Sequence, residues 1–235
     1  MLTPKRLYEE ELLDAGAGTD DDVAESLLDL RRINRFLGGT SVVLEALAGS
    51  FNGNLPKRIS LLDVGTGSAD IPSAVARWCR SRSIEPVISA LDLSERNIRV
   101  TRARLSVSSD LAFVRGDAAH LPFPARTFDY VTASLFLHHF KDEDVVRLLA
   151  EFGRVAARAV IVNDLLRNKV PYYFIKLASP LFATSWLTRN DGPVSVLRGF
   201  TRDELSLLAG RAGLRRCSVK RVFPYRLSLV GGVGD

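Results

Sequence analysis

From residue 58 onward, short apolar runs alternate with segments of helical periodicity, and this rhythm restricts the chain more than any other feature. Runs at 59–64, 86–92 (PVISALD), 111–117 (LAFVRGD), 128–135 (FDYVTASL) and 159–165 (AVIVNDL) are separated by expected helices at 70–81, 95–106 and 142–155. Strand and helix alternating in this way imply a parallel sheet covered on both faces, an α/β architecture. The rhythm breaks from 166 to 200. It resumes with a helix opened by Thr201, where Thr201 and Glu204 have capping-box spacing, and two closing runs follow near 214–223 and 225–230. Ahead of the alternation, Val23, Leu27, Leu30, Ile33 and Leu37 recur at three- and four-residue steps until Gly38-Gly39, after which Thr40 or Ser41 can cap a second helix.

The 235 residues therefore read as one domain, 1–235. Its parts are an N-terminal helical cap (1–57), a ligand-binding core (58–165), a helical insert (166–200) and a closing helix with strands (201–235). Cys79 and Cys217 are far apart with no ligand spacing, so neither a disulfide framework nor a zinc site of cysteines is expected. The N-terminus carries acids where a signal peptide has its apolar core, and no run reaches the roughly 18 apolar residues of a spanning helix. A cytoplasmic protein is expected. The apolar stretch VPYYFIKLASPLFATSWL (170–187) is broken by Lys176 and Pro180 and reads as a cap over a cavity. The net charge of +5 is spread along the chain, which favours solubility over a nucleic-acid arm.

The segment LLDVGTGSAD (61–70) runs from a strand through a glycine turn into a helix. Gly65 and Gly67 let backbone approach a ligand closely, but Asp70 stands where a dinucleotide fingerprint needs its third glycine to receive a pyrophosphate. No GxxxxGK[ST] run is present either. A carboxylate beside the turn suits a ligand with positive charge and no phosphate, and S-adenosylmethionine is such a ligand. Asp92 ends the second strand 27 residues after Gly65, where an acid takes ribose hydroxyls, and Asp117 ends the third.

The segments LLDVGTGSADIP, ALDLSERNIRVTRAR, GDAAHLPFPARTFDYVTASLFLHHF and EFGRVAARAVIVND resemble, in order and spacing, the motifs of class I S-adenosylmethionine-dependent methyltransferases. The chain looks most like the small-molecule group that contains the ubiquinone/menaquinone C-methyltransferases. The resemblance implies a Rossmann-like, mostly parallel seven-stranded sheet whose last strand is antiparallel. It places Asp63, Gly65 and Gly67 about the methionine end of S-adenosylmethionine, Asp92 on the ribose, Leu93 on the adenine or ribose face, Asp117 and Ala118 at the adenine, and Ser134 near the sulfonium; Asp70, the carboxylate beside the turn, is a further cofactor-binding candidate. The product would be S-adenosylhomocysteine. The family's frequent third glycine is Ala69 here, a small residue expected to cost little.

Methyl transfer needs near-attack geometry and, for a phenol or activated ring carbon, a base near neutral pKa. His138 and His139 follow the fourth strand and are the candidate catalytic residues; the plain alternative is one histidine packed and one in water. Metal-dependent relatives keep oxygen ligands where Asn163-Asp164 stand, but their matching acid is replaced by Ser134, so no metal is expected. Arg32, Tyr172, Trp186 and Arg198 are candidate acceptor-binding residues, with a hydrophobic or aromatic small molecule as partner, phenolic, quinone-like or polyketide-type, in secondary metabolism. Arg189, Asp191 and Arg198 flank Gly192-Pro193 in an expected loop. An RNA methyltransferase and a non-catalytic cofactor-binding protein are the competing readings, as are monomer and homodimer, and a peripheral membrane contact stays open.

Overall fold

The computed structural model describes residues 3–105 and 111–233. Seven strands form one sheet in the order β3-β2-β1-β4-β5-β7-β6. They are β1 (Arg58–Val64), β2 (Glu85–Asp92), β3 (Leu111–Arg115), β4 (Phe128–Ser134), β5 (Ala156–Leu165), β6 (Arg215–Val222) and β7 (Arg226–Gly232). The first five run parallel, and β7 is antiparallel to both of its neighbours, β5 and β6. The order reverses at β1, which pairs β2 on one side and β4 on the other, and ligands in open α/β sheets bind outside the strand C-termini at such a switch.

Alternation along the strands divides the core. Leu61 faces α2 (Gly39–Ser50) and α3 (Asp70–Arg80) together with Val43, Val75, Tyr130 and Ile161. Leu62 and Val64 face the other layer, α5 (Asp142–Val155) and α8 (Arg202–Arg211), with Leu149, Phe152 and Leu205. Ser94 caps α4 (Glu95–Arg104) through Asn97 N–H, and Thr201 with Glu204 closes the expected capping box on α8. The expected last residue of α4, position 106, lies outside the described residues.

Three expectations about local structure are corrected. The second helix begins at Gly39 with Gly38 as its cap, because Gly38 adopts φ +78° and turns the chain tightly out of α1 (Asp20–Phe36); Ser41 Oγ donates instead to the Gly38 carbonyl. The insert is helical, as expected, but holds no loop at Gly192-Pro193. It forms α6 (Lys169–Phe182) and α7 (Trp186–Arg198), with Gly192 and Pro193 inside α7. Ala69 sits at φ +51°, a left-handed conformation that glycine adopts freely and that costs an L-residue about 1 kcal/mol, so the missing third glycine is not neutral.

α1 crosses from the core to the insert. Val23, Ala24 and Leu27 pack with Val100 of α4 and Leu187 of α7. Asp29, nearly fully buried, accepts the backbone N–H groups of Thr184 (2.8 Å) and Ser185 (2.9 Å) and so ties α1 to the α6–α7 connection. The segment ahead of α1 is a strap held by buried arginines. Arg6 donates to the carbonyls of Arg198 and Phe140 and pairs with Asp142, and Arg198 donates to the carbonyls of Glu9, His138 and His139. Among the described residues no helix is long and apolar enough to cross a membrane.

Candidate active site

A cavity of about 1170 Å³ opens at the C-terminal edge of the sheet. One wall is built by β1–β3 and their turns, the other by the strap, α1, α6 and α7.

On the strand wall, Gly65 (φ +66°) and Gly67 (φ +47°) both border the cavity. A Cβ on Gly65 would lie 2.2 Å from the Phe136 ring, so only glycine admits that ring, whereas a Cβ on Gly67 would meet nothing nearer than Leu27 at 3.6 Å. Asp92 accepts Gly67 N–H on one carboxylate oxygen and Ser94 N–H on the other, each at 2.9 Å. Each oxygen keeps lone-pair capacity for a ligand hydroxyl. Burial raises the Asp92 carboxyl above its ordinary value, partly opposed by those two N–H donors. Leu93, Asp117 and Ala118 complete this wall: Leu93 is largely exposed, and Asp117 accepts Ala119 N–H (2.8 Å), which lowers its carboxyl.

Three residues expected in contact with the cofactor lie off the cavity. Asp63 is buried beneath the turn, where it accepts the Thr66 hydroxyl (2.8 Å) and the Thr132 hydroxyl (2.6 Å); burial pushes its carboxyl up to about 7. It holds the turn's shape rather than the cavity's surface. Asp70 is turned back onto Ser68 Oγ (2.7 Å), with burial raising its carboxyl as well. Ser134 Oγ is buried without a partner among the described residues, as are both amide atoms of its rung neighbour Asn163.

The opposite wall carries the histidines. His138 is buried, with Nδ1 2.7 Å from Asp164 and Nε2 3.5 Å from Glu11 of the strap. Burial alone would lower its pKa, but the Asp164 and Glu11 carboxylates raise it to about 9. Burial likewise works against ionised Glu11, yet its hydrogen bond to His138 brings it down to about 2. His139, partly exposed, points Nδ1 at Asp14 (2.5 Å). Glu11, Asp14, His138 and His139 all border the cavity. From α6 the cavity receives Pro171, Phe174, Ile175, Ser179 and Phe182, one helical stripe.

None of the four candidate acceptor-binding residues lies on this stripe or borders the cavity. Arg32 projects outward and pairs with Asp29, and Tyr172 stacks edge-on with Tyr173 outside the stripe. Trp186 is half exposed, with its indole N–H on Asp22 (3.0 Å). Arg198 is consumed by the three carbonyls it clamps. Asp191, expected in a loop, is a buried helix residue that accepts Leu12 and Leu13 N–H and pins the strap. Nothing in the sequence marks Glu11 or Asp14, and Asp191 is marked there only as a flank of Gly192-Pro193. Each acts on a partner more than a hundred residues away.

Residues 61–158 match a family described as Methyltransferase domain. The chain is 25% identical over 177 residues to a demethylmenaquinone methyltransferase of Bacillus licheniformis, covering 69% of this chain and 73% of that one. A Thermotoga maritima demethylmenaquinone methyltransferase is 29% identical over 158 residues, 62% of this chain and 65% of that one. The chain thus carries a methyltransferase domain over residues 61–158 and is similar to the class I S-adenosylmethionine-dependent methyltransferases.

Solved structures show the same fold. Human N-acetylserotonin methyltransferase in complex with S-adenosylmethionine aligns over 98% of this chain and 63% of that longer one, with TM-score 0.66 at 17% identity. A methyltransferase from Aquifex aeolicus aligns over 93% of this chain and all of the other, with TM-score 0.62 at 16% identity. S-adenosylmethionine is the ligand of the human neighbour. The strand wall fits it: a glycine turn open to the cavity, a buried carboxylate with free lone pairs, and an apolar Leu93 at the rim.

Proposed function

We propose that this methyltransferase acts on an oxygen or carbon of a hydrophobic aromatic small molecule, phenolic, quinone-like or polyketide-type. The observation that carries this reading is the second wall. The cavity exceeds the roughly 300–1,000 Å³ of a pocket made for one small ligand, and its far side is apolar and aromatic. It therefore has room for an acceptor beside the cofactor. The relatives named for demethylmenaquinone support a quinone-like acceptor.

S-adenosylmethionine supplies the electrophilic methyl group. Asp92 and the Gly65–Gly67 turn would fix the nucleoside end, with Asp117 and Ala118 at the rim. Phe136, seated on Gly65, and the α6 stripe exclude water and orient an acceptor ring, which is the main contribution a positioning enzyme makes. His138, charged between two carboxylates, is suited to donate a hydrogen bond rather than to accept a proton. His139 is the side chain placed to receive the proton of an acceptor hydroxyl, with Asp14 orienting its ring.

The test is to incubate the purified chain with methyl-labelled S-adenosylmethionine and a panel of quinols, simple phenols and total RNA. Label in a quinol or phenol, identified by mass spectrometry, is the expected result. Label in RNA alone would replace this reading with the nucleic-acid one, and cofactor binding without transfer to any ring acceptor would leave a binding protein.

A further inference from the structure

Where the strap crosses the loop after β4, three ligand-type side chains converge. Glu11, His138 and His139 each offer one carboxylate or imidazole atom, and the three atoms lie within 4.8 Å of one another. We propose that they bind one divalent first-row cation of the zinc class, with an open coordination position facing the cavity. The proposal rests on reading this end of the cavity as the acceptor's.

Geometry and chemistry agree on the ion. Two imidazoles and one carboxylate are a known three-ligand set for zinc, which leaves a fourth position free. Tetrahedral bonds of about 2.0–2.1 Å put ligand atoms about 3.3 Å apart. His138 Nε2 and Glu11 Oε1 are already 3.5 Å apart. The widest pair has to close by at most about 1.5 Å, which the His139 ring, stacked on His138 with centroids 4.2 Å apart and held by Asp14, covers by turning about the Cα–Cβ bond.

The outer partners argue for a cation independently of those distances. A metal-bound histidine almost always gives its other ring N–H to a carboxylate, which fixes the tautomer and the ring plane. Both histidines show this arrangement: His138 Nδ1 faces Asp164 at 2.7 Å, and His139 Nδ1 faces Asp14 at 2.5 Å. The Glu11 oxygen that faces His138, Oε1, also accepts the Ser195 hydroxyl at 2.8 Å. This is not the strand-end oxygen site considered for Asn163-Asp164; Asp164 supports a ligand here and is not one itself. With a cation in place an acceptor oxygen would bind at the open position, and the imidazoles would serve as ligands in place of direct proton removal by His139. Because Glu11 belongs to the strap and the histidines to the core, the same ion would fasten the strap over the cavity.

The experiment uses the full chain, stripped with chelator and titrated calorimetrically with Zn²⁺ alone, and with Co²⁺ alone followed by its visible absorption. One ion per chain is expected. Binding should fall by about 100-fold or more in Glu11→Gln, and by about 10- to 100-fold in Asp14→Asn, the range typical for an outer partner. Asp14 is partly exposed, so its variant guards against a mere failure to fold. S-adenosylhomocysteine binding, measured on the same preparations, should stay unchanged, and this separates the cation site from the methyltransferase reading. No Zn²⁺ or Co²⁺ binding by the intact chain would overturn the proposal, as would binding that survives Glu11→Gln or moves with Cys217→Ser.

Discussion

The two walls of the cavity are built by different means. The strand wall is made of backbone and strand-end carboxylates: Asp92 reaches Gly67 only 25 residues away, and both stand at the ends of hydrogen-bonded parallel neighbours. The acceptor wall is made of side chains from remote segments. His139 meets Asp14 across 125 residues, and Asp29 meets Thr184 across 155. A wall of the first kind is fixed once the sheet forms, while one of the second kind depends on each long-range contact and can diverge without harm to the sheet.

The sharpest way to break this comparison is Asp92→Ala. It removes a carboxylate that holds the glycine turn and faces the nucleoside, and hydrogen bonds to a charged group are worth about 1.5–3 kcal/mol each. Cofactor affinity should fall by about 100-fold or more, read by calorimetry with S-adenosylhomocysteine, while the melting temperature changes far less. Retained affinity would mean that the strand wall is not where the nucleoside sits.

Asp29→Ala should do the reverse. It leaves the buried N–H of Ser185 and the part-buried N–H of Thr184 unpaired, at a cost of about 2 kcal/mol, which for a domain of this size lowers the melting temperature by about 4–8 °C. The loss falls on the acceptor wall. Cofactor affinity measured below the transition should hold within about twofold, and hydrogen exchange should quicken in α6 and α7.

A smaller effect separates the two readings of the insert. Phe174→Ala removes a ring that lines the cavity and should raise the acceptor KM about fivefold, the order expected for a partly buried apolar contact. Trp186→Phe loses only an exterior hydrogen bond to Asp22 and should leave KM within about twofold. Equal effects from the two would return Trp186 to the acceptor site.

The same contrast explains what the sequence reveals. The strand–helix rhythm and the glycine turn are local, and with them come the sheet, the cofactor wall and the roles considered for Gly65, Gly67 and Asp92. Asp63 and Asp70 lie under the loop rather than on the cavity, because alternation along a strand and the tight turn aim both carboxylates there. The α6 stripe was readable. Pro171, Phe174, Ile175, Ser179 and Phe182 follow helical steps, in keeping with the helical insert expected there. Glu11 and Asp14 had no such signal; in EEELLDAG they are indistinguishable from a solvated acidic run.

The least conspicuous prediction concerns the turn itself. Asp63 has its carboxyl raised by burial from the usual 3.8 to about 7, so the folded chain holds that proton more tightly than the unfolded one. Its contribution to stability is full below about pH 3.8 and declines as pH rises through 7. Asp63→Asn removes the titrating group while keeping a side chain that can pair with Thr66 and Thr132. Between pH 4.5 and 6.5 the fall in melting temperature with rising pH should be shallower in the variant than in the parent. Asp70 and Asp92 are raised by burial too, so some slope persists. The window avoids Glu11, which loses its contribution below 4.5, and His138, which loses its contribution above 6.5. Parallel slopes for variant and parent would mean that Asp63 is ionised beneath the turn, which would then be held by a charged acceptor.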